Sequence, residues 1–462
     1  MSTMTEKNIV ELSLGSVVQG IDWPALPAPT AAGRLAALFQ LEQSQWWSGE
    51  QLRQHQFTQL DTLLRHCLEH VPYYQGVLSE HMSADKINQA QWHRIPLLTR
   101  DKLQQAGEKL RTNRLPAGHG KVTVQRTSGS TGKPVEVLGT EMTAFFWNVF
   151  TLRDHLWQQR DLGGKLAVIR YNQNEQAKPP HGIRSTSWGA ATQDICETGP
   201  GVMINIHTPL SEQLAWLQAE APDYLLTHPS VLQALALQCQ REAIELPSLR
   251  EVRTISEALP DGLRELCQQV WGVKLVDMYT TIEAGYLALQ CPEHDHYHVQ
   301  SENVLLEVLD EQGKPCLPGE VGKVVITSLH NFATPLIRYE LGDFAEVGEP
   351  CACGRGLPVL RRILGRYRNL ITLPDGERRW PKFGIEKILK LAPVRQYQAI
   401  QHSIDEIEYL LVVAQPLSDG TRQQLLDLFR ANLHPEMKIT ITEVDSIARS
   451  ASGKYEEFLS KL

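Results

Sequence analysis

Between residues 166 and 279, short apolar runs rich in β-branched residues alternate with amphipathic segments. The runs are LAVIRY (166–171), VMINIH (202–207), YLLTH (224–228), VRTIS (252–256) and VKLVDMY (273–279). Helical patterns fill the gaps at 211–219, 229–241 and 261–271, and the cue SEQL at Ser211 marks a helix start. Strand–helix alternation of this kind predicts an α/β layered domain with mostly parallel pairing.

The texture changes after Tyr297. VLLEVLD (304–310), KVVIT (323–327), PLIRYELGDFAEV (335–347) and NLITL (369–373) look like strands, several of them separated by Gly-containing turns, so a β-rich subdomain is expected. The last part of the chain forms a small α/β unit. It has a helix near 383–392, strands near 395–401 and 407–414, a helix at 421–433, a strand at 438–444 and a tail ending in a short helix. At the other end, 1–33 looks like an arm marked by Pro24, Pro27 and Pro29, and 34–80 is largely helical, with Leu60, Leu63, Leu64 and Cys67 on one face. A boundary near Gly365 divides a large N-terminal domain (1–364) from a small C-terminal one (365–462).

Composition excludes several function classes. Lys plus Arg number 45 against 53 Asp plus Glu, a net charge of −8. Broad phosphate contact needs a concentrated basic surface, so neither a nucleic acid nor an anionic membrane is an expected partner. The N-terminus lacks a basic segment followed by an apolar one, and no run approaches the ~20 apolar residues of a membrane span. A reducing cytoplasm is the expected location. There the eight cysteines are thiols or metal ligands rather than bridges.

One segment carries phosphate chemistry. Arg126-Thr127-Ser128-Gly129-Ser130-Thr131-Gly132-Lys133-Pro134 lies between two strand-like runs. Small residues let backbone N–H groups converge on phosphate oxygens, hydroxyls add donors, and Lys133 adds charge. The spacing does not fit GxxxxGK[ST]. By itself the GSTG core fits a Gly/Ser hairpin turn equally well.

The longer string TSGSTGKP resembles the triphosphate loop of the adenylate-forming acyl-CoA ligases. Further motifs follow in that family's order. They are Met278-Tyr279-Thr280-Thr281-Ile282-Glu283-Ala284-Gly285, Gly319-Glu320-Val321-Gly322, Tyr339-Glu340-Leu341-Gly342-Asp343, Gly365-Arg366 and Ser452-Gly453-Lys454. The phenylacetate-CoA ligase-like branch is the nearest match, through His70-Val71-Pro72-Tyr73-Tyr74, Arg338-Tyr339 and Cys351-Ala352-Cys353-Gly354-Arg355. The resemblance runs from about residue 35 to the end. It implies a large multi-subdomain adenylate-forming domain with a small mobile α/β C-terminal domain.

It also implies two half-reactions. A carboxylate attacks the α-phosphate of ATP, and a thiol, usually coenzyme A, then displaces AMP. Thr127, Ser128, Gly129, Ser130, Thr131, Gly132 and Lys133 would cradle phosphates. Glu283 would hold Mg²⁺, since a hard cation bridging phosphates wants a carboxylate. Asp343 would accept both ribose hydroxyls, and Tyr279 and the turn Ser256-Glu257-Ala258 would border adenine. Arg366 would approach ribose or phosphate. Lys454 would neutralise charge between the carboxylate and the α-phosphate. Three departures stand out: Ile282 in place of a Thr, Glu340 in place of an Arg, and Arg368-Asn369 in place of an Asp pair. Thr280 and Thr281 would supply the hydroxyl lost at Ile282.

Cys291 opens CPEHDHYHV, and Cys351-Ala352-Cys353 follows about fifty residues after His298. Two thiolates two positions apart, a distant Cys and a nearby His can make a tetrahedral Cys₃His site; two loops with reduced thiols fit the same spacing. Some members of the ligase branch carry a structural zinc here. The resemblance makes Cys291, His298, Cys351 and Cys353 the ligands, with His294 the alternative histidine. Asp295 and His296 would flank the site. Cys67, Cys239 and Cys267 fall in helical apolar patterns and are expected in the core.

Phe145, Phe146 and Trp147 follow the loop, in the region that borders the acyl pocket in similar enzymes. An aromatic wall suits an aryl or other apolar carboxylate; simple core packing is the competing explanation. The expected activity is therefore an AMP-forming aryl or apolar carboxylate:CoA ligase. Two alternatives are an adenylating enzyme with a carrier-protein or amine acceptor, and an inactive ligand-binding or scaffold homologue. The family also implies a homodimer.

Overall fold

A computed structural model describes residues 14–79, 89–126, 135–366, 370–381, 385–450 and 452–462. The chain divides into two compact units. One comprises Met1–Leu166, Arg184–Val202 and Asp277–Ile363; the other comprises Ala167–Ile183, Met203–Val276 and Leu364–Leu462.

In the first unit three helices open the described chain: Pro29–Ser44, Gly49–His70 and Pro72–Ser79. The first begins earlier than 34. Pro29 takes a first-turn position, where its missing N–H has no intrahelical partner to lose, so helix replaces the end of the expected arm. Ser48 and Gln51 cap the second helix reciprocally. Leu60, Leu63, Leu64 and Cys67 on its apolar stripe are fully buried and share a core with Val304, Val308, Val324, Ile326 and Leu336. The long helix Glu141–Trp157 is capped the same way, by Thr140 and Thr143. Burial of the stripe, at roughly 1.5–3 kcal/mol per large apolar side chain, is the main term holding helix to sheet.

The sheet of this unit runs in the order Val304–Leu309, Val321–Ser328, Tyr339–Val347, Val359–Arg366, Tyr297–Val299, Gly285–Gln290 and Lys274–Thr281. Val304–Leu309 with Val321–Ser328, Val321–Ser328 with Tyr339–Val347, Val359–Arg366 with Tyr297–Val299, Tyr297–Val299 with Gly285–Gln290, and Gly285–Gln290 with Lys274–Thr281 all pair antiparallel. The strand expected over 335–347 starts only at Tyr339. Arg338 has a φ of +46°, which breaks the extended backbone, and its buried guanidinium pairs with Glu307 at 3.1 Å and bonds to the Ile95 carbonyl at 2.7 Å.

In the second unit, Tyr224–Thr227 and Glu251–Thr254 pair in parallel, with the helix Pro229–Glu242 between them in the chain. A four-stranded sheet follows, in the order Lys438–Glu443, Glu406–Val413, Val394–Ser403 and Phe458–Ser460. The helix Asp419–Asn432 covers it, and Tyr409 stacks on Phe429 with centroids 3.7 Å apart. The chain end is a strand, not the expected short helix. Phe458 is buried, and the segment pairs in parallel with Ala399–Gln401, so an available sheet edge overrides local helical preference.

Cys67, Cys239 and Cys267 are buried, as their apolar patterns predict. Among the described residues no helix is long and apolar enough to cross a membrane.

One contact fixes the cysteine loop of the first unit to its helices. Gly356 donates its N–H to the Gln45 carbonyl at 2.9 Å, and a Cβ at Gly356 would lie 1.7 Å from the Trp47 carbonyl oxygen. Gly356→Ala therefore forces backbone apart. It should cost about 2–4 kcal/mol, seen as a fall of several degrees in thermal midpoint.

Candidate active site

The strand Lys274–Thr281 turns through 282–284 into Gly285–Gln290, with Thr281 opposite Gly285 and Met278 opposite Leu289. Gly285 takes a φ of +75°, where a side chain would be strained. Thr281 Oγ1 accepts from the Ala284 amide at 3.1 Å, and Asn303 Nδ2 donates to the Ala284 and Tyr286 carbonyls at 3.0 and 2.8 Å. The turn is thus braced from both sides. Glu283 at its centre is 9% exposed, whereas Ile282 beside it is 48% exposed.

Two sequence-predicted residues meet directly. Tyr279 donates its hydroxyl to Asp343 Oδ2 at 2.8 Å. Asp343 follows Gly342, whose φ is +87°, on the strand Tyr339–Val347. Thr280, Thr281 and Glu283 continue from Tyr279 along one strand and turn. The loop residues Thr127, Ser128, Gly129, Ser130, Thr131, Gly132 and Lys133 lie outside the described residues, as do Arg368 and Asn369.

Phe145 and Phe146 pack edge to face with centroids 5.5 Å apart. Phe146 also stacks on His330, 3.9 Å away and 9° from parallel. Burial pushes the His330 imidazole down to about 4, with His119 acting in the same direction, so at neutral pH it is an uncharged flat ring. No motif marks His330, which lies in the loop after the strand Val321–Ser328.

The cysteine and histidine donors of the two loops converge. Cys291, His296, His298 and Cys351 place their ligand atoms within 4.8 Å of one another. Cys291 Sγ and Cys351 Sγ are 3.9 Å apart, and Cys353 Sγ lies 3.4 Å from His298 Nε2. In a tetrahedral zinc site the S–S and S–N edges measure about 3.8 and about 3.6 Å, so the donor set fits that ion. His298 is fully buried and its Nδ1 faces the Leu357 carbonyl at 3.4 Å, leaving Nε2 toward the thiols. Burial, with the Arg355 charge adding to it, pushes His298 down to about 3. Burial pushes the Cys351 thiol up to about 12. Of the expected donors, Cys291, His298 and Cys351 belong to this group and His296 is its fourth member, while Cys353 stands outside it, with its Sγ near His298 Nε2. His294 stacks on His296 but is outside the group that closes to 4.8 Å.

The second unit holds the remaining predicted residues. Ser256 takes a φ of +79°, unusual for a residue with a side chain. Glu257 Oε2 accepts from the Ser230 amide at 3.1 Å, in the first turn of the helix Pro229–Glu242, and Oε1 accepts from the Tyr455 amide at 2.7 Å. His228 Nδ1 and Arg449 Nη1 lie 3.4 and 3.8 Å from the same carboxylate. Burial pushes the Glu257 carboxyl up, but His228, Ser230 and the Arg449 charge outweigh it and hold it below the usual value. Ala258 continues the turn. Arg366 ends the strand Val359–Arg366, and Lys454 is half-buried on the segment before the last strand. Sequence reasoning offered no partner for Glu257; a buried carboxylate needs donors, but nothing in the pattern says that Arg449 and Tyr455 supply them.

Residues 382–461 match the CapK C-terminal domain family. The chain is 24% identical over 443 residues to the phenylacetate-coenzyme A ligase of Thermus thermophilus, covering 89% of this chain and 96% of that one. It is 24% identical over 402 residues to the phenylacetate-coenzyme A ligase of Pseudomonas putida, covering 82% and 86%. A solved 2-hydroxyisobutyryl-CoA ligase in the postadenylation state superposes with a TM-score of 0.72 at 16% identity, over 91% of this chain and 92% of that one. The fold is that of the adenylate-forming ligases.

Near Tyr455, burial pushes the Glu457 carboxyl up to about 7; the Tyr397 hydroxyl opposes this, and the Glu257 and Asp261 charges add to it. The native state therefore holds a proton that the unfolded chain releases near 4.5. Stability from this group is present below about pH 4.5 and is lost as pH rises through about 7. Glu457→Gln should flatten that decline, seen as a smaller fall in thermal midpoint between about pH 5 and 8.

Proposed function

We propose that the protein is an AMP-forming ligase that activates a small aryl or other apolar carboxylic acid with ATP and passes the acyl group to a thiol, most plainly that of coenzyme A. The observation that carries this is the joining of the Tyr279 hydroxyl to the Asp343 carboxylate beside the braced turn that buries Glu283. In the first half-reaction a carboxylate oxygen attacks the α-phosphorus and pyrophosphate leaves. In the second the thiolate attacks the acyl carbon and AMP leaves. Neither step requires a covalent bond to the protein, so positioning and charge neutralisation are its work. Asp343, oriented by Tyr279, offers two oxygens to the ribose diol. Lys454 neutralises charge between carboxylate and α-phosphate, and the loop 127–133 with Arg366 meets the remaining phosphate charge. Glu283 would hold Mg²⁺, which supplies charge neutralisation on the phosphates when bound. The face of Phe146 and His330 forms one wall for the acyl group.

Domain 365–462 acts as the mobile lid that carries Lys454. Cys291, His298, Cys351 and Cys353, with His296 adjoining, hold a structural zinc that ties the loop after Glu283 to the loop at 351–358. All eight cysteines are free, in keeping with a reducing cytoplasm.

Pyrophosphate exchange into ATP across a panel of aryl and alkyl acids tests the first half-reaction. Exchange should appear with at least one apolar acid, and Lys454→Ala should lower it by roughly 10²–10³-fold. No exchange with any acid and no thermal shift with ATP would favour a scaffold. Products analysed with and without coenzyme A separate a CoA ligase from an enzyme with another acceptor. Elemental analysis should find about one zinc per chain, and Cys351→Ala should lower thermal stability more than it lowers exchange. A stable, metal-free protein would contradict the zinc assignment.

A further inference from the structure

Glu257, Ser230 and Arg449 are drawn together from three separated parts of the second unit. The helix Pro229–Glu242 starts without a side-chain cap, since His228 at its N-cap makes no such bond. Glu257 Oε2 fills that place by accepting from the Ser230 amide at 3.1 Å. A carboxylate there gains from the helix dipole as well as from the hydrogen bond. Its other oxygen takes the Tyr455 amide at 2.7 Å. Arg449 Nη1 donates to Ser230 Oγ at 2.7 Å and to the Gly453 carbonyl at 3.2 Å.

These bonds fall on the residues either side of Lys454. Gly453 is held through its carbonyl by Arg449, and Tyr455 through its amide by Glu257. Lys454 itself closes a small loop, with its amide donating to Ser450 Oγ at 3.0 Å and its carbonyl accepting from the Ser450 amide at 2.9 Å. Gly453 has a φ of +80°, and a Cβ there would come within 2.3 Å of Ile206 Cγ2, so the loop sits hard against Ile206 of the same unit. The Arg449 guanidinium also lies over the Tyr455 ring, 5.5 Å from its centroid.

We propose that Glu257, Ser230 and Arg449 are positioning residues: a polar latch that seats the Lys454 loop for carboxylate adenylation. The inference rests on the adenylation role proposed above for Lys454. An ion pair is a suitable latch because its charges are nearly as well satisfied by water when separated, so it sets geometry while adding little net stability. The loop is thereby located without being locked. Lysine neutralisation matters when the carboxylate meets the triphosphate. It does not matter when a thiol meets an uncharged acyl carbon, so the latch serves the first half-reaction and not the second.

The test measures two rates in the full-length protein: pyrophosphate exchange at saturating acid, and thioester formation from coenzyme A and chemically prepared acyl-adenylate. The variants are Arg449→Met, Ser230→Ala and, as reference, Lys454→Ala. Glu257 is left intact because its turn also belongs to the nucleotide site. Arg449→Met should lower the exchange kcat about tenfold, and Ser230→Ala about threefold, with KM for ATP within about twofold of the parent. Thioester formation from supplied adenylate should stay within about twofold in both. Loss of exchange in Lys454→Ala with parental exchange in Arg449→Met and Ser230→Ala overturns the latch and leaves the lysine assignment standing. Parental exchange in Lys454→Ala overturns the lysine assignment and the latch together. Equal loss in both half-reactions, or a rise in KM for ATP at constant kcat, also overturns the latch. If Arg449→Met lowers the thermal midpoint enough to unfold the protein, Ser230→Ala, which removes one hydroxyl, decides the matter by the same criteria.

Discussion

A carboxylate with almost no access to water must be met by donors, and Glu257 is met by three parts of the chain. The first turn of the helix Pro229–Glu242 supplies an amide, the segment before the last strand supplies another, and Arg449 supplies charge. An unmet buried carboxylate would cost several kcal/mol, so this requirement largely fixes where the segment 449–455 lies on residues 203–276. The consequence reaches Lys454, whose immediate neighbours are the bonded residues. The same residue can thus belong to the turn that the family resemblance assigns to adenine and to the seat of the lysine loop.

In the first unit a different constraint dominates. The turn 282–284 is closed by a threonine hydroxyl, an asparagine amide and a glycine of positive φ, and it carries Glu283 at its centre. Tyr279 on the same strand orients Asp343. Asp343 is therefore held by a short side-chain contact, and Glu283 is buried at the centre of a braced turn. The convergent Cys and His donors lie just beyond this hairpin and on the loop that carries Cys351.

Much of this was legible in the sequence because it rests on local rules. The runs at 166–171, 224–228 and 273–279 became strands since apolar β-branched stretches between helical patterns have few other stable fates. Tyr279, Glu283 and Asp343 were recognised from ordered motifs, and two of them prove to touch. What escaped is non-local. Arg338 ends a strand early through its backbone angle and its buried pair with Glu307. The chain end becomes a strand because Val394–Ser403 presents an edge to it. His296 joins the thiol cluster through hairpin geometry, and His330 meets Phe146 across the fold, and no spacing encodes either contact. Glu257 carried a role suggested by resemblance, while one of its hydrogen-bond partners, the Tyr455 amide, lies almost two hundred residues further on.

The central claim is that a carboxylate oxygen of the substrate becomes bonded to the α-phosphorus of ATP. Turnover with an acid labelled with ¹⁸O at its carboxylate measures this directly, by mass spectrometry of the nucleotide product. Transfer of one ¹⁸O into each AMP is the predicted result. Unlabelled AMP, or ADP with the label in inorganic phosphate, would contradict the account.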